Sequence, residues 1–230
     1  MIKKLALLDW DGTLRSGFTI KSWIAFLVKE KLFDSSVEDS LLNLFNDYLY
    51  NKLTHDELSQ STAEIYASAL KGFKERDISL AATRFLYEDK NLLNSFSLPL
   101  FSFLKKYEIS IAIISGAPIE VIRAYKTMFN FDEIFALECE IEDGIYSGNI
   151  KVNAGDSKEK NKVITSIAFT NKYNFYFSMG NSSSDIPLLM ASPIKAIVNN
   201  KDLVSYIQSN SQIDTKQILL LEEDTDFSII

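Results

Sequence analysis

Residues Leu5–Gly17 read LALLDWDGTLRSG. The run Leu5, Ala6, Leu7, Leu8 has no polar alternation, the habit of a strand buried on both faces at the centre of a parallel sheet. It leads straight into two carboxylates, Asp9 and Asp11, and a glycine turn at Gly12. Asp-Gly alone is a common turn signal. In open parallel sheets, however, ligands bind outside the carboxyl ends of the strands, so these acids form a candidate site if the rest of the chain supplies such a sheet.

From about Pro99 the pattern alternates between helix and strand. A helix to Tyr107 precedes the apolar run Ile109–Ser115, and a helix runs through Val121 to Phe129. A short strand near Ile134–Leu137, a helix after Lys160, the strand Tyr173–Gly180, a helix over Ile186–Met190 and the strand Ile194–Val198 follow. This alternation predicts a parallel α/β sheet with right-handed crossovers and helices on both faces. Glu138–Gly148 carries Asp-Gly between alternating segments and reads as a surface hairpin.

Residues 18–89 differ in texture. They lack strand signals and show helical spacing at Trp23, Phe26 and Leu27, at Leu41, Leu42, Leu44 and Phe45, at Leu58, Ile65 and Tyr66, and at Leu80, Phe85 and Leu86. Four amphipathic helices fit, with starts at Thr54, whose Glu57 completes a capping-box pattern, and at Ser35. The expected division is an α/β core of residues 1–16 and 90–230 and an inserted helical cap of residues 17–89.

Composition narrows the chemistry. With 230 residues, 47% of them hydrophobic, the chain can bury a sizeable core. Net charge is -7, with 24 Lys+Arg against 31 Asp+Glu and no long basic run, which argues against a nucleic-acid surface. No apolar run approaches the roughly 18 residues that span a bilayer, so no membrane partner is expected. Cys139 is the only cysteine and cannot form an intrachain disulfide. The amino-terminal segment meets its acids too early for a signal peptide, and a cytoplasmic location is expected. His55 is the only histidine, so metal chemistry here is carboxylate chemistry, which suits Mg2+ better than zinc.

Three buried runs end in small or polar groups: Asp9 with Asp11, Ser115 with Gly116, and Gly180 with Asn181 and Asp185. In an open parallel sheet the three sets would share one edge. A carboxylate at Asp9 can attack phosphorus to give an aspartyl-phosphate. Asp11 can protonate the leaving oxygen and later activate water. A phosphoryl group in transfer needs a hydroxyl, N–H groups and a fixed cation around it, which Ser115, Gly116 and a lysine supply. Two adjacent acids beside an anion call for a divalent cation, and Asp185 or Asn181 can complete its oxygen shell.

In these motifs the chain resembles phosphatases of the haloacid dehalogenase superfamily. DWDGT resembles the first motif (Asp-x-Asp-Gly-Thr), IISG the second, a lysine before the penultimate helix the third, and GNSSSD the fourth. The helical insertion is similar to the small bundle cap of the phosphoserine-phosphatase-like branch. The resemblance implies Asp9 as nucleophile and Mg2+ ligand, Asp11 as acid/base with its carbonyl on Mg2+, Ser115 and Gly116 as phosphate donors, and Asn181 and Asp185 at the metal. For the lysine, SKEKNK offers Lys158, Lys160 and Lys162. Lys160 is preferred because the family's lysine is usually followed by apolar residues three and four later, where Val163 and Ile164 stand, with Lys158 second. The family usually has an aspartate where this chain has Asn181, which removes one negative charge and implies weaker metal affinity.

The expected function is Mg2+-dependent hydrolysis of a small phosphorylated metabolite. The rivals are transfer of the same phosphoryl group to an alcohol and a catalytically weakened phospholigand-binding protein. Arg15 and Lys21 read as exposed charge, Trp10 as packing, Cys139 as inert and His55 as a helix-start residue without a catalytic role.

Overall fold

The computed structural model describes residues 2–210 and 218–222, the side chain of Asn210 excepted. Residues 1, 211–217 and 223–230, which the expected core includes, lie outside the described residues. The sheet has the order β4-β3-β2-β1-β5-β6-β7. Its strands are β1 (Lys3–Leu8), β2 (Ser110–Pro118), β3 (Glu133–Glu142), β4 (Ile145–Val152), β5 (Tyr173–Gly180), β6 (Ile194–Val198) and β7 (Ile218–Leu221). All neighbouring pairs run parallel except β3 with β4, the expected hairpin, which turns at Asp143-Gly144.

The opening run sits in the middle of this sheet because both its faces are covered. Leu5, Ala6, Leu7 and Leu8 are fully buried, and alternate residues of a strand point to opposite faces. Leu5 and Leu7 pack with Val163, Ile164 and Ile167 of α7 (Ser157–Phe169) and Leu188 of α8 (Ile186–Ala191). Ala6 and Leu8 join the larger cluster on the other face, with Leu100 and Leu104 of α5 (Ser97–Lys106) and Val121 and Ile122 of α6 (Ile119–Tyr125). Burying each such leucine contributes about 1.5–3 kcal/mol, so an acid at the strand's end inherits a rigid mount. The helix after β2 is shorter than expected, ending at Tyr125 and continuing as turns to Phe129. Two elements lie beyond those the pattern marked: α9 (Lys201–Asn210), which buries Leu203 and Ile207, and β7.

Four helices occupy the segment between β1 and β2: α1 (Thr19–Lys29), α2 (Ser35–Leu49), α3 (His55–Leu70) and α4 (Glu75–Asp89). Thr54 and Glu57 form the capping box at the start of α3. The cap of α2 is Asp34, whose carboxylate accepts from the Ser36 N–H, and not Ser35. Trp23, Phe26 and Phe85 stack between α1 and α4, with ring centroids 5.2–5.8 Å apart. Leu80 lies half exposed; the buried face of α4 is instead Ile78, Ala81, Ala82, Phe85 and Leu86.

Two buried polar networks tie these helices to the sheet layer. The Trp23 indole donates to the Tyr66 hydroxyl, which donates to Glu120 on α6, while Tyr146 of β4 donates to the other Glu120 oxygen at 2.7 Å. Burial pushes the Glu120 carboxyl above its ordinary range. In the second network Arg15 pairs with Asp89 at 2.8 Å and Tyr125 donates to the other Asp89 oxygen at 2.7 Å. Arg15 is therefore not the exposed charge the sequence suggested. It is 1% exposed, because its partner stands 74 residues away at the end of α4. Lys21 is exposed as expected, and Trp10 is packing, edge-on to Tyr125 at 4.6 Å.

Candidate active site

Asp9 follows β1 directly, and its N–H still bonds the Met179 carbonyl of β5 at 3.0 Å, so the strand's rigidity extends to it. It is 4% exposed. Lys160 donates to its Oδ1 at 2.8 Å, and the Thr13 hydroxyl donates to its Oδ2 at 2.8 Å. The chain then folds back: the N–H groups of Thr13, Leu14 and Arg15 converge on the Trp10 carbonyl, with Gly12 at φ +72°, a backbone state that favours glycine. This turn carries Asp11 round to the same side, where its Oδ1 accepts from the Thr19 N–H at 2.9 Å and from the Thr19 hydroxyl.

On the neighbouring strands, Ser115 of β2 is buried and its Oγ accepts from the Ala117 N–H at 3.2 Å. Gly116 approaches Gly155 so closely that a Cβ at position 116 would lie 2.9 Å from the Gly155 Cα, which leaves room for nothing larger. Beyond β5, Asp185 turns back towards Gly180, where an added Cβ would fall 2.5 Å from the Asp185 Cβ. The Oδ2 of Asp185 accepts from the N–H groups of Asn181 and Ser182, and its Oδ1 takes Lys160 at 2.5 Å. The Asn181 amide oxygen lies 3.2 Å from the Thr13 hydroxyl and so beside Asp9.

Lys160 owes its place to helix periodicity. Lys160, Val163, Ile164 and Ile167 form the buried stripe of α7, whereas Lys158 and Lys162 face solvent. Burial works against its charge, but Asp185 and Asp9 outweigh that and hold the ammonium firmly protonated. Burial and the Asp185 charge push Asp9 up to about 7, against the pull of Lys160. For Asp185 burial also opposes ionisation, but Lys160 and the two backbone donors win and hold its carboxyl low. Asp11 is pushed up to about 6 by burial, with Arg15 and Thr19 pulling the other way. Asp9 and Asp11 face a cavity of about 330 Å3, as do Ser115, Gly116, Lys160 and Asn181.

A sequence model of the haloacid dehalogenase-like hydrolases matches residues 6–190. The chain belongs to this family. Its fold has solved counterparts. A protein of unknown function from Bordetella pertussis Tohama I superposes with TM-score 0.78 at 18% identity, over 97% of this chain and 100% of that one. A phospho-aspartyl intermediate analogue of phosphoserine phosphatase gives 0.62 at 18% identity, over 95% and 94%. Substrate-bound phosphoserine phosphatase gives 0.63 at 19%, over 94% and 92%. A search of curated proteins finds no match. The expected family therefore holds, and the fold is similar to that of phosphoserine phosphatase.

The donor chemistry of the haloacid dehalogenase-like site fits Mg2+. Among the described residues no cluster of three or more His, Cys, Asp or Glu side chains is placed to hold a metal. The oxygens that face the cavity beside one another are the Asp9 carboxylate and the Asn181 amide, and the family resemblance adds the Asp11 carbonyl. All are hard oxygens, and Mg2+ commonly takes only one or two carboxylates and keeps several waters.

Asp185 departs from its expected place among these donors. It does not line the cavity, and both of its oxygens are engaged by Lys160 and the 181–182 backbone. Thr13 and Thr19 hold the two carboxylates of the first motif. Thr13 could have been found, since it is the threonine of DWDGT. Thr19 lies beyond the motif and carries no comparable signal.

Proposed function

We propose that this hydrolase is a Mg2+-dependent phosphatase that acts on a small phosphorylated metabolite through an aspartyl-phosphate at Asp9. The observation that carries this reading is Asp9 itself: a carboxylate buried at the end of a central strand, gripped through one oxygen by Lys160 and through the other by Thr13, and facing a cavity. In the first step a new Asp9–phosphorus bond forms and the ester bond breaks, while Asp11 gives its proton to the departing alkoxide. In the second, water attacks phosphorus, Asp11 takes the water's proton, and phosphate leaves with Asp9 restored. Ser115, the Gly116 N–H and Lys160 hold the equatorial oxygens. Mg2+, held by Asp9, Asn181 and the Asp11 carbonyl, would supply charge neutralisation between carboxylate and phosphate. Asp185 is assigned to aim Lys160 and to shape the 180–185 turn, not to ligate.

Helices α1–α4, residues 17–89, act in this reading as a cap over the strand ends that excludes water and contacts the leaving group. A cytoplasmic setting is in keeping with Cys139 being the sole cysteine, with its thiol buried. A phosphate-release screen with and without Mg2+ tests the function. Binding of phosphorylated ligands without Mg2+-dependent turnover on a broad panel would overturn it.

Two substitutions probe the parts separately. Asp11→Asn is expected to lower kcat on alkyl phosphates by about 10^2- to 10^4-fold. The loss in kcat/KM, which reports the step that forms the aspartyl-phosphate, should be smaller on aryl phosphates, whose leaving groups need no proton; equal losses in kcat/KM on both would remove Asp11 from the acid role. Asn181→Asp should lower the Mg2+ concentration for half-activation on the order of tenfold, because charge count sets affinity at such sites. An unchanged Mg2+ titration would place position 181 away from the ion.

A further inference from the structure

Resting on the phosphatase reading above, we infer that the alcohol released here is mainly apolar and without a carboxylate. The cavity has two unlike ends. One holds Asp9, Ser115, Gly116 and Lys160. The other is walled by Phe18, Ile20, Phe45, Tyr48, Leu58 and Leu137. Lys160 is the one lysine or arginine among the described lining residues, and it is already flanked by Asp9 at 2.8 Å and Asp185 at 2.5 Å.

A substrate carboxylate at the apolar end would lose its water and meet no counter-charge, a cost that apolar contacts do not offset. The nearby cations are committed or outside. Arg15 is locked onto Asp89. Lys21 is exposed, 5.7 Å from the centre of the Phe45 ring, and does not line the cavity.

Of the polar side chains that α2 and α3 bring to the cavity, the Tyr48 hydroxyl is neutral and the others are mostly spent. The Thr62 hydroxyl donates to its own helix at the Leu58 carbonyl, and Ser59 is engaged with Asn153. His55 Nδ1 is buried with no hydrogen-bond partner among the described residues, its closest ionic neighbour being Asp56 at 3.9 Å. Burial and the Lys160 charge keep the imidazole neutral. It can serve one hydroxyl or ether group of the leaving alcohol, but it is no counter-ion. At about 330 Å3 the cavity lies at the small end of the usual range for ligand sites, about 300–1,000 Å3.

The decisive comparison is kcat/KM of the full chain with Mg2+ on isobutyl phosphate and on phosphoserine. The ammonium and carboxylate of serine make its alkoxide the better leaving group, so a preference for isobutyl phosphate reports on the cavity and not on intrinsic reactivity. The expected ratio is at least about tenfold in favour of isobutyl phosphate. Equal rates, or faster turnover of phosphoserine, would overturn the inference and leave the phosphatase reading standing. Release from neither, nor from phenyl phosphate, would overturn that reading and the inference with it. Lys21→Ala should leave the ratio unchanged. A selective loss of phosphoserine turnover in that variant would show a carboxylate held from the rim, and would also overturn the inference.

Discussion

Asp9→Asn is expected to stop phosphate release, lowering kcat by at least about 10^3-fold, in a protein that melts no earlier than its parent. An amide is a far poorer nucleophile than a carboxylate, and the nearby acids are otherwise engaged: Asp11 is held by Thr19, and Asp185 is turned away onto Lys160 and the 181–182 backbone. The fold should tolerate the change because Asp9's charge works against stability. Burial, with Asp185 beside it, lifts its carboxyl from the ordinary 3.8 to about 7. A carboxyl raised in the folded state contributes stability that is fully present below pH 3.8 and is lost as pH rises through about 7. Asparagine carries no charge to bury, and Lys160 keeps Asp185 as its counter-ion. In Mg2+-free buffer the variant's advantage in melting temperature should therefore be larger at pH 8 than at pH 5. Retained turnover would end the nucleophile assignment, and a variant that melts well below its parent at both pH values would mean that Asp9 is structural first.

Those parts of the site that depend on local periodicity were legible in the sequence. The unalternated LALL run announced a strand covered on both faces, and Leu5–Leu8 are indeed fully buried. Lys160 could be picked from three lysines by the family's pattern of apolar residues three and four later, and that pattern is the i, i+3, i+4 stripe that buries it with Val163 and Ile164. The expectation that Ser115 and Asn181 share one sheet edge with Asp9 is met because β2, which carries Ser115, and β5, which ends one residue before Asn181, flank β1. What stayed hidden depends on pairings that no local pattern encodes. The turn that brings Asp185 back under Gly180 leaves no mark in GNSSSD beyond a glycine and an acid. Arg15 read as solvated because its counter-ion lies on the last turn of a helix far along the chain. The hairpin at 138–148 looked like surface, yet it buries Cys139 and Tyr146 because the α3–α4 connection pairs with it, Lys74 bridging to Ile145.

The Arg15–Asp89 pair gives the largest expected effect on stability. Asp89→Ala should destabilise the protein by about 3–5 kcal/mol, since it strands a guanidinium in the interior. For a chain of this size that lowers the melting temperature by roughly 10 °C. Arg15 is 1% exposed and Asp89 is also 1% exposed, so water cannot replace the lost partner, and Tyr125 loses its acceptor as well. The pair joins both crossings of the chain between the sheet and α1–α4: Arg15 just after the first motif, bonded also to Ser22 of α1, and Asp89 at the close of α4. The unpaired Arg15 would then act on Asp11 alone. Its positive charge already holds that carboxyl down, and removing Asp89 takes away an opposing influence, so Asp11 should fall back towards the ordinary carboxylate range. A less basic Asp11 is a poorer proton reservoir at neutral pH, and kcat on alkyl phosphates should drop with the melting temperature. Replacing both partners with apolar residues of similar volume, Arg15→Met with Asp89→Leu, should recover most of the stability, because a buried ion pair costs nearly as much desolvation as it gains in attraction. Melting curves of the single and double variants decide the matter. A single variant within about 2 °C of the parent would mean that the pair contributes little and that Arg15 finds water or another acceptor.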